Sequence, residues 1–239
     1  VDGEPNSDSL ASAIESATGG QTIKLLTSVN ENITVSGKSI TLDLNGFDIM
    51  SAVSGTAAVT VESGASLTIV GAGEVSGYNG ETGYSFANHG TLVLRGGTYT
   101  QEVDFALLGE GCSMAVSEEG VYTVSDSAPV ATITRGEDIY NFANVSSAFN
   151  YALAGDTVVL QQDAHIGGNR INIDGTITLD LNGYDVDSGS NNFFLLYGGT
   201  LSIVNNAARH STMTADSRGF QIVPQNGKTA TLSLGKNIT

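Results

Sequence analysis

Apolar and polar residues alternate in short runs along most of the chain. The clearest run covers residues 40–49, where Ile40, Leu42 and Leu44 are separated by polar residues. A period of two places successive side chains on opposite faces, so this pattern predicts a strand with one buried face. Asn45 and Gly46 follow, and both residue types tolerate positive φ, which indicates a sharp corner at the end of the strand.

The same stretch recurs at 177–186, and the sequence Leu-Asp-Leu-Asn-Gly is identical at 42–46 and 179–183. Similar apolar runs follow at 66–70 and 91–95, so that leucines recur 25 residues apart. Regular spacing of this length is typical of the rungs of a solenoid. We expect an internal stack and an outward column beside it, formed respectively by Ile23, Leu42, Leu67 and Leu92 and by Lys24, Asp43, Thr68 and Val93.

Two short amphipathic patterns, at 10–17 and 145–152, predict helices. Asp8 or Ser9 can cap the first one, and Gly19 can end it. Such a helix laid across the end of a coil would cover the apolar side chains and backbone groups of the first rung. We therefore predict an all-β fold, a parallel β-helix (β-solenoid), in two tandem modules at 1–134 and 135–239. Each is preceded by a capping helix, and we expect the second to be cut short within a longer protein.

The net charge and the composition of the chain limit which classes of partner we expect it to bind. The chain has 9 basic and 25 acidic residues, a formal net charge of −16. Such a chain repels nucleic acid and anionic membrane surfaces. No apolar run approaches the ~20 residues of a membrane span. We expect no nucleic-acid partner, no membrane insertion and a monomeric state within a longer chain, and the single cysteine excludes an internal disulfide.

The segments at 129–133, 155–160 and 178–183, with closing patterns at 96–99 and 120–124, carry a family resemblance. The chain resembles the right-handed parallel β-helix (pectin-lyase-like) modules repeated in secreted and wall-anchored proteins of Gram-positive bacteria. The resemblance implies an extracellular or cell-surface location and adhesion to a host glycan or host protein, such as mucin or immunoglobulin. The matching residues are cores, corners and caps, so they indicate the fold better than an activity.

The resemblance also raises the possibility of polysaccharide cleavage. Asp43 with Asp48, and Asp180 with Asp185, lie close together in sequence, but no arginine accompanies them. This favours solvated turn carboxylates over a catalytic or calcium site, although calcium at the Asp43 and Asp180 corners stays open. The histidines lack zinc spacing. We predict no catalytic residue, metal or cofactor, with a lyase or hydrolase of acidic glycans, or a structural spacer, as the alternatives.

Two loops, at 77–86 and 191–197, are rich in Tyr, Asn and Gly, which suits recognition of sugars or protein surfaces. The alternative is that Phe86, Phe193 and Leu195 are core residues and the rest of each loop is a connection. The segment 207–210 is the only basic-leaning loop. We predict a non-catalytic binding module, with candidate contact residues Tyr78, Asn79, Tyr84, His89, Asn191, Asn192, Tyr197, Arg209, His210 and Arg218.

Overall fold

The computed structural model of the protein describes residues 9–117, 119–167, 170–188, 193–216, 219–225 and 227–239. Most of these residues lie in or between short strands that stack as parallel coils, and the predicted β-solenoid is confirmed. The chain divides into two compact units, Val1–Ser127 and Ala128–Thr239. The expected boundary at 134/135 falls inside a strand, Ala131–Arg135, that belongs to the second unit.

The first unit begins with helix α1 (Leu10–Ser16) and continues as a coil of parallel rungs. Each complete rung gives one strand to each of three sheets, and the fourth rung gives strands to the first two. In chain order the rungs are β1 (Thr22–Lys24), β2 (Val29–Asn30) and β3 (Ile33–Val35); β4 (Ser39–Asp43), β5 (Ile49–Met50) and β6 (Val59–Val61); β7 (Ser66–Val70), β8 (Glu74–Ser76) and β9 (Phe86–Asn88); and β10 (Thr91–Leu94) with β11 (Thr98–Tyr99).

The end of the first unit is closed by antiparallel strands, which the sequence patterns did not predict. After a 3₁₀ turn (Phe105–Leu107), β12 (Ser113–Val116) and β13 (Tyr122–Ser125) form a hairpin, and β13 pairs antiparallel with β11. Tyr99, Met114 and Val124 are buried beneath it. The buried Tyr99 hydroxyl donates to Gly96 O at 2.7 Å, so this buried polar group has its hydrogen-bond partner.

The second unit repeats this plan after a hairpin of its own. In chain order it contains β14 (Ala131–Arg135), β15 (Asp138–Phe142) and α2 (Val145–Tyr151); β16 (Thr157–Leu160), β17 (Ala164–His165) and β18 (Ile171–Ile173); β19 (Thr176–Asp180), β20 (Val186–Asp187) and β21 (Phe194–Leu196); β22 (Gly199–Val204), β23 (Met213–Thr214) and β24 (Phe220–Ile222); and β25 (Ala230–Leu234). The rung strands pair in parallel, whereas β14 pairs antiparallel with both β15 and β16.

Helix α1 covers the start of the first coil and is held at both ends by the first rung and its following turn. Ser9 caps the helix, as predicted, and the first amides also donate to the carboxylate of Glu31 at 3.2 and 2.9 Å. Lys38 Nζ donates to three carbonyls at the other end, at 2.9 to 3.0 Å. An anion at the N-terminus and a cation at the C-terminus both suit the helix dipole. The helix therefore ends at Ser16, before the predicted stop at Gly19.

Helix α2 is held by a different set of contacts, which centre on the side chain of Arg135. Arg135 in β14 donates to Asp156 at 2.6 Å and to Tyr151 O at 3.1 Å, and its guanidinium lies 4.8 Å from the centre of the Tyr151 ring. Hydrogen bonding to Arg135 holds the pKa of Asp156 below its usual value. The two helices thus cover their coils with unrelated contacts. No helix among the described residues is long and apolar enough to cross a membrane.

The register of the first sheet corrects the predicted stack. Ile23 pairs with Leu42 as expected, but Leu42 pairs with Ile69, and Leu67 pairs with Ile40. The predicted stack and outward column were therefore wrong by two residues beyond the second rung. A shift of two residues keeps every side chain on the same face, so hydrophobic alternation cannot detect it. The true columns are Ile23, Leu42, Ile69 and Leu94 inside, and Thr41, Thr68 and Val93 among those facing out.

Candidate functional site

The repeated Leu-Asp-Leu-Asn-Gly stretch forms the corner between the first and second sheets in both units. Asn45 and Asn182 take left-handed backbone angles, with φ of 51° and 47°, and the glycine after each has a φ of 83°. Their side-chain amides donate to carbonyls of the preceding rung, Leu25 O at 2.9 Å and Leu160 O at 3.0 Å. The stretch therefore joins one rung to the next.

The aspartates near these corners also bind backbone groups. Asp48 and Asp185 each accept a backbone N–H of the following rung, at 2.8 and 2.7 Å. Asp180 is buried and accepts the backbone and side-chain amides of Asn206 at 3.1 and 2.8 Å. In the described part of the chain, no group of three or more His, Cys, Asp or Glu residues could hold a metal ion. These contacts give the repeated carboxylates a structural role.

The loop between β8 and β9 carries the most prominent exposed aromatic side chains. Tyr78 and Tyr84 are 39% and 38% exposed. Between them the chain makes a tight turn, in which Gly80 N donates to Gly77 O at 3.0 Å and Asn79 has a φ of 49°. A Cβ on Gly77 would lie 2.9 Å from the Cβ of Tyr84, so glycine at this position lets the two ends of the loop approach.

The loop is linked to its neighbour in the preceding rung by one carboxylate. Glu81 accepts the Ser54 hydroxyl at 2.6 Å and Gly55 N at 3.0 Å. These two hydrogen bonds lower the pKa of Glu81 from its usual value. Val53, beside Ser54, is 55% exposed. We call the exposed rings of Tyr78 and Tyr84 the aromatic surface; Val53 lies in the neighbouring loop that Glu81 binds.

The backbone beneath the aromatic surface is fixed by the rungs on both sides. Ala58 N donates to Tyr84 O at 2.9 Å, and Gly83 N donates to Thr100 O at 3.1 Å. The loop therefore lies in the stack of corners between the second and third sheets, with one hydrogen-bonded neighbour before it and one after it. An ordered backbone that presents exposed rings loses little conformational entropy when a ligand binds.

The other predicted contact residues lie on different corners. His89 is exposed between the third and first sheets, where its backbone N donates to Val61 O at 2.8 Å, and Tyr197 is half-buried at the equivalent corner of the second unit. Asn191, Asn192 and Arg218 lie outside the described residues. Of the seven predicted residues that the structure describes, it brings together Tyr78, Asn79 and Tyr84 in one loop and the neighbouring pair Arg209 and His210 in another.

Arg209 and His210 lie on the corner that follows β22. The Arg209 guanidinium donates to Gly183 O, binds Asp185 at 2.8 Å and lies 3.6 Å from Asp163. Its charge is therefore already paired with two carboxylates of the earlier rungs. His210 is exposed, and its Nε2 lies 3.2 Å from the Thr239 hydroxyl. These contacts connect rungs of the second unit.

The alternative interpretation of the two loops, in which their large apolar side chains belong to the core, is confirmed for the three residues that it concerns. Phe86, Phe193 and Leu195 are 7%, 1% and 2% exposed. The sequence reasoning missed Val53 and Glu81, because their importance depends on a contact between loops 26 and 27 residues apart. The only available signal was Val53 itself, an apolar residue among small and polar ones outside any strand pattern.

These observations define the chain as a parallel β-solenoid whose corners carry the candidate contact residues. No family model, no curated protein and no solved structure matches it.

Proposed function

We propose that the chain is a non-catalytic binding module that recognises a glycan or a protein through the aromatic surface. The observation that carries this proposal is the pair of exposed rings, Tyr78 and Tyr84, on a backbone held by hydrogen bonds to the rungs on both sides. Tyrosine offers a broad apolar ring and a hydroxyl that can donate and accept, so it suits both sugar rings and protein surfaces.

The negative net charge of the chain limits which classes of ligand it can bind. The chain has a formal net charge of −16, and Glu81 adds a carboxylate within the loop that carries both tyrosines. A surface of this sign repels sulfated and sialylated glycans and favours neutral or cationic ligands. The ligand proposed here is therefore an uncharged glycan or a protein patch that is neutral or basic.

The biological setting belongs to the same proposal. The family resemblance supports a secreted or wall-anchored bacterial protein that adheres to, or captures, a host glycan or host protein such as mucin or immunoglobulin. The repetition of the coil is consistent with this, because weak sites on linked modules gain avidity. A polysaccharide lyase or hydrolase and a spacer are the competing functions, and both are outcomes of the experiment below.

The experiment is a binding screen of the full chain against neutral and acidic glycan arrays, mucin and immunoglobulin. The wild type should bind a neutral glycan or a protein, and a double variant, Tyr78→Ala with Tyr84→Ala, should bind it at least about tenfold more weakly, a loss of about 1.4 kcal/mol. Leu26→Ala is the matched control, because Leu26 is 65% exposed in the same unit but away from the aromatic surface.

Three results would contradict the proposal. Binding that survives in the double variant would move the site elsewhere, and binding to none of the probes would favour a spacer. Release of unsaturated or reducing ends from an acidic polysaccharide would favour the enzyme. Tyr78→Phe and Tyr84→Phe test the rings separately from the hydroxyls, since each keeps the apolar area and removes one donor.

A further inference from the structure

We propose that Asn79 is a site of spontaneous deamidation and isomerisation, and that the corner asparagines Asn45 and Asn182 are protected from the same reaction. The sequence contains four Asn-Gly pairs, at 45–46, 79–80, 182–183 and 226–227. Asn226 lies outside the described residues. The other three share a left-handed asparagine, with φ of 51°, 49° and 47°, so the local backbone does not distinguish them.

The reaction needs only water. The backbone nitrogen of Gly80 loses its proton to solvent and attacks Cγ of Asn79, so that a C–N bond forms and ammonia leaves. Water then adds to one of the two carbonyls of the cyclic imide and opens the ring. The products are aspartate or isoaspartate at position 79, and ammonia. Glycine favours the attack because it has no side chain to obstruct the nitrogen.

Ring closure requires the asparagine to leave its left-handed conformation, so the turn around it must open first. The rate therefore follows the free energy of local opening. At the first corner, opening breaks the bond from Asn45 Nδ2 to Leu25 O at 2.9 Å and the bond from Gly46 N to Ala72 O at 2.6 Å. Both bonds connect neighbouring rungs, so opening this corner breaks contacts between rungs.

The second corner is held in the same way. Asn182 Nδ2 donates to Leu160 O at 3.0 Å, and the N–H of the buried Gly183 donates to Asn205 Oδ1 at 3.0 Å. Here too each bond reaches another rung. Attack at this corner would also require the nitrogen of a buried glycine to lose a proton to solvent.

Within the described residues, no hydrogen bond of Asn79 or Gly80 reaches another rung; the nearest such contacts are those of Glu81 with Ser54, Gly55 and Thr100. Asn79 is exposed, and its side chain has no hydrogen-bond partner within the described ranges. Gly80 N donates to Gly77 O at 3.0 Å, and Glu81 N donates to Tyr78 O at 3.0 Å. Gly77 N also donates to Glu81 O at 3.2 Å, and breaking these three bonds opens the turn while the bonds from the Glu81 carboxylate to the preceding rung can remain.

The modification would change the aromatic surface. Either product adds a negative charge between Tyr78 and Glu81, and isoaspartate also lengthens the backbone of the turn by one atom. If the aromatic surface binds a ligand, as the proposed function holds, aged protein should bind it more weakly. The modification itself does not depend on that function.

The experiment follows deamidation at each asparagine by peptide mass mapping of the full chain during incubation in mildly alkaline buffer. Isoaspartate is labelled in parallel with a protein isoaspartyl methyltransferase. Position 79 should react at least about tenfold faster than positions 45 and 182, because a difference of 1.4 kcal/mol in opening free energy gives a factor of ten. In concentrated urea the three rates should converge.

Gly80→Ala is the matched variant. Its Cβ would meet no atom within 4 Å, but alanine at a φ of +79° strains the folded turn. The variant is therefore compared with the wild type in concentrated urea, where that strain is absent and obstruction of the attack on Asn79 should slow deamidation. Equal rates at the three positions in the folded chain, or an unchanged rate at Asn79 in Gly80→Ala in urea, would overturn the proposal. Mass mapping needs no ligand, so failure of the binding function would leave this result intact.

Discussion

The turns at Asn45 and Asn79 have the same local sequence and similar backbone angles, but their asparagine side chains have different roles. Each is an Asn-Gly pair with a left-handed asparagine, at φ of 51° and 49°, followed by a glycine at 83° and 79°. The Asn45 side chain donates to the preceding rung, whereas the Asn79 side chain has no partner in the described chain. Local sequence thus sets the turn, and the neighbouring rung decides whether it holds the fold or is free to serve another role.

The largest expected effect comes from substituting a glycine in the corner that stacks on the Asn45 corner, compared with Gly80 in the Asn79 turn. Gly73 lies in the corner stacked on the Asn45 corner, has a φ of 141°, and a Cβ there would lie 2.1 Å from Phe47 O. Gly73→Ala should therefore cost about 3 kcal/mol or more of unfolding free energy, or prevent folding. Gly80→Ala meets open space and should cost only the strain of its positive φ, about 1–2 kcal/mol.

Urea unfolding followed by tyrosine fluorescence and circular dichroism measures both variants. Equal losses of unfolding free energy in the two variants would show that the corner and the turn are equally constrained, which would contradict the difference described above.

A smaller difference should separate the asparagines themselves. Asn45→Ala and Asn79→Ala both place alanine in the left-handed region, so they share that strain. Only the first variant leaves the carbonyl of the buried Leu25 without the side-chain donor that it has in the structure. Asn45→Ala should therefore lose about 1–3 kcal/mol more than Asn79→Ala in the same measurement. The opposite order would contradict the structural role of the corner.

The smallest effect concerns the carboxylate that links the Tyr78–Tyr84 loop to its neighbour. Hydrogen bonds from Ser54 and Gly55 lower the pKa of Glu81, so its folded value lies below the unfolded value of about 4.3. The contact is therefore complete above that value and is lost as the pH falls through the folded pKa. An NMR titration of the Glu81 carboxyl carbon should show the depressed pKa.

Ser54→Ala is the control for that titration. It removes the larger cause of the shift and should move the pKa of Glu81 back towards its ordinary value. Because Glu81 lies at the surface, the unfolding free energy should change little. An unaltered pKa in Ser54→Ala would show that the hydrogen bond between Ser54 and Glu81 does not form in solution.

The sequence predicted the strands and the repeated corner because both depend on local chemistry. Alternation identified Leu42 and Leu67 as inward residues, and both are fully buried. Their partners could not be predicted, since Leu42 pairs with Ile69 and not Leu67, and the choice depends on how the corner after β7 stacks on Asn45. A repeat in spacing is therefore weaker evidence for register than for fold.

The candidate site was also predictable where it depends on local sequence and unpredictable where it depends on contacts between rungs. Tyr78 and Tyr84 stand out in the sequence because they are aromatic residues in a connection outside the strand patterns, and binding residues are often on loops. Glu81 and the exposed Val53 could not be recognised, because Glu81 bonds to Ser54 and Gly55, the residues after Val53, across two rungs. Arg209 shows the converse: it looks like a free basic residue in the sequence, but two aspartates from earlier rungs bind it.

The attachment of helix α1 has a consequence for the kinetics of folding. Glu31 and Lys38 hold its two ends across sequence separations of only 20 to 24 residues. Closing loops of this length costs little entropy, so the helix and the first rung can form an early nucleus. Later rungs can then add one at a time to a template that already exists. Folding of the first unit should therefore be able to start during translation, while downstream rungs are still being synthesised.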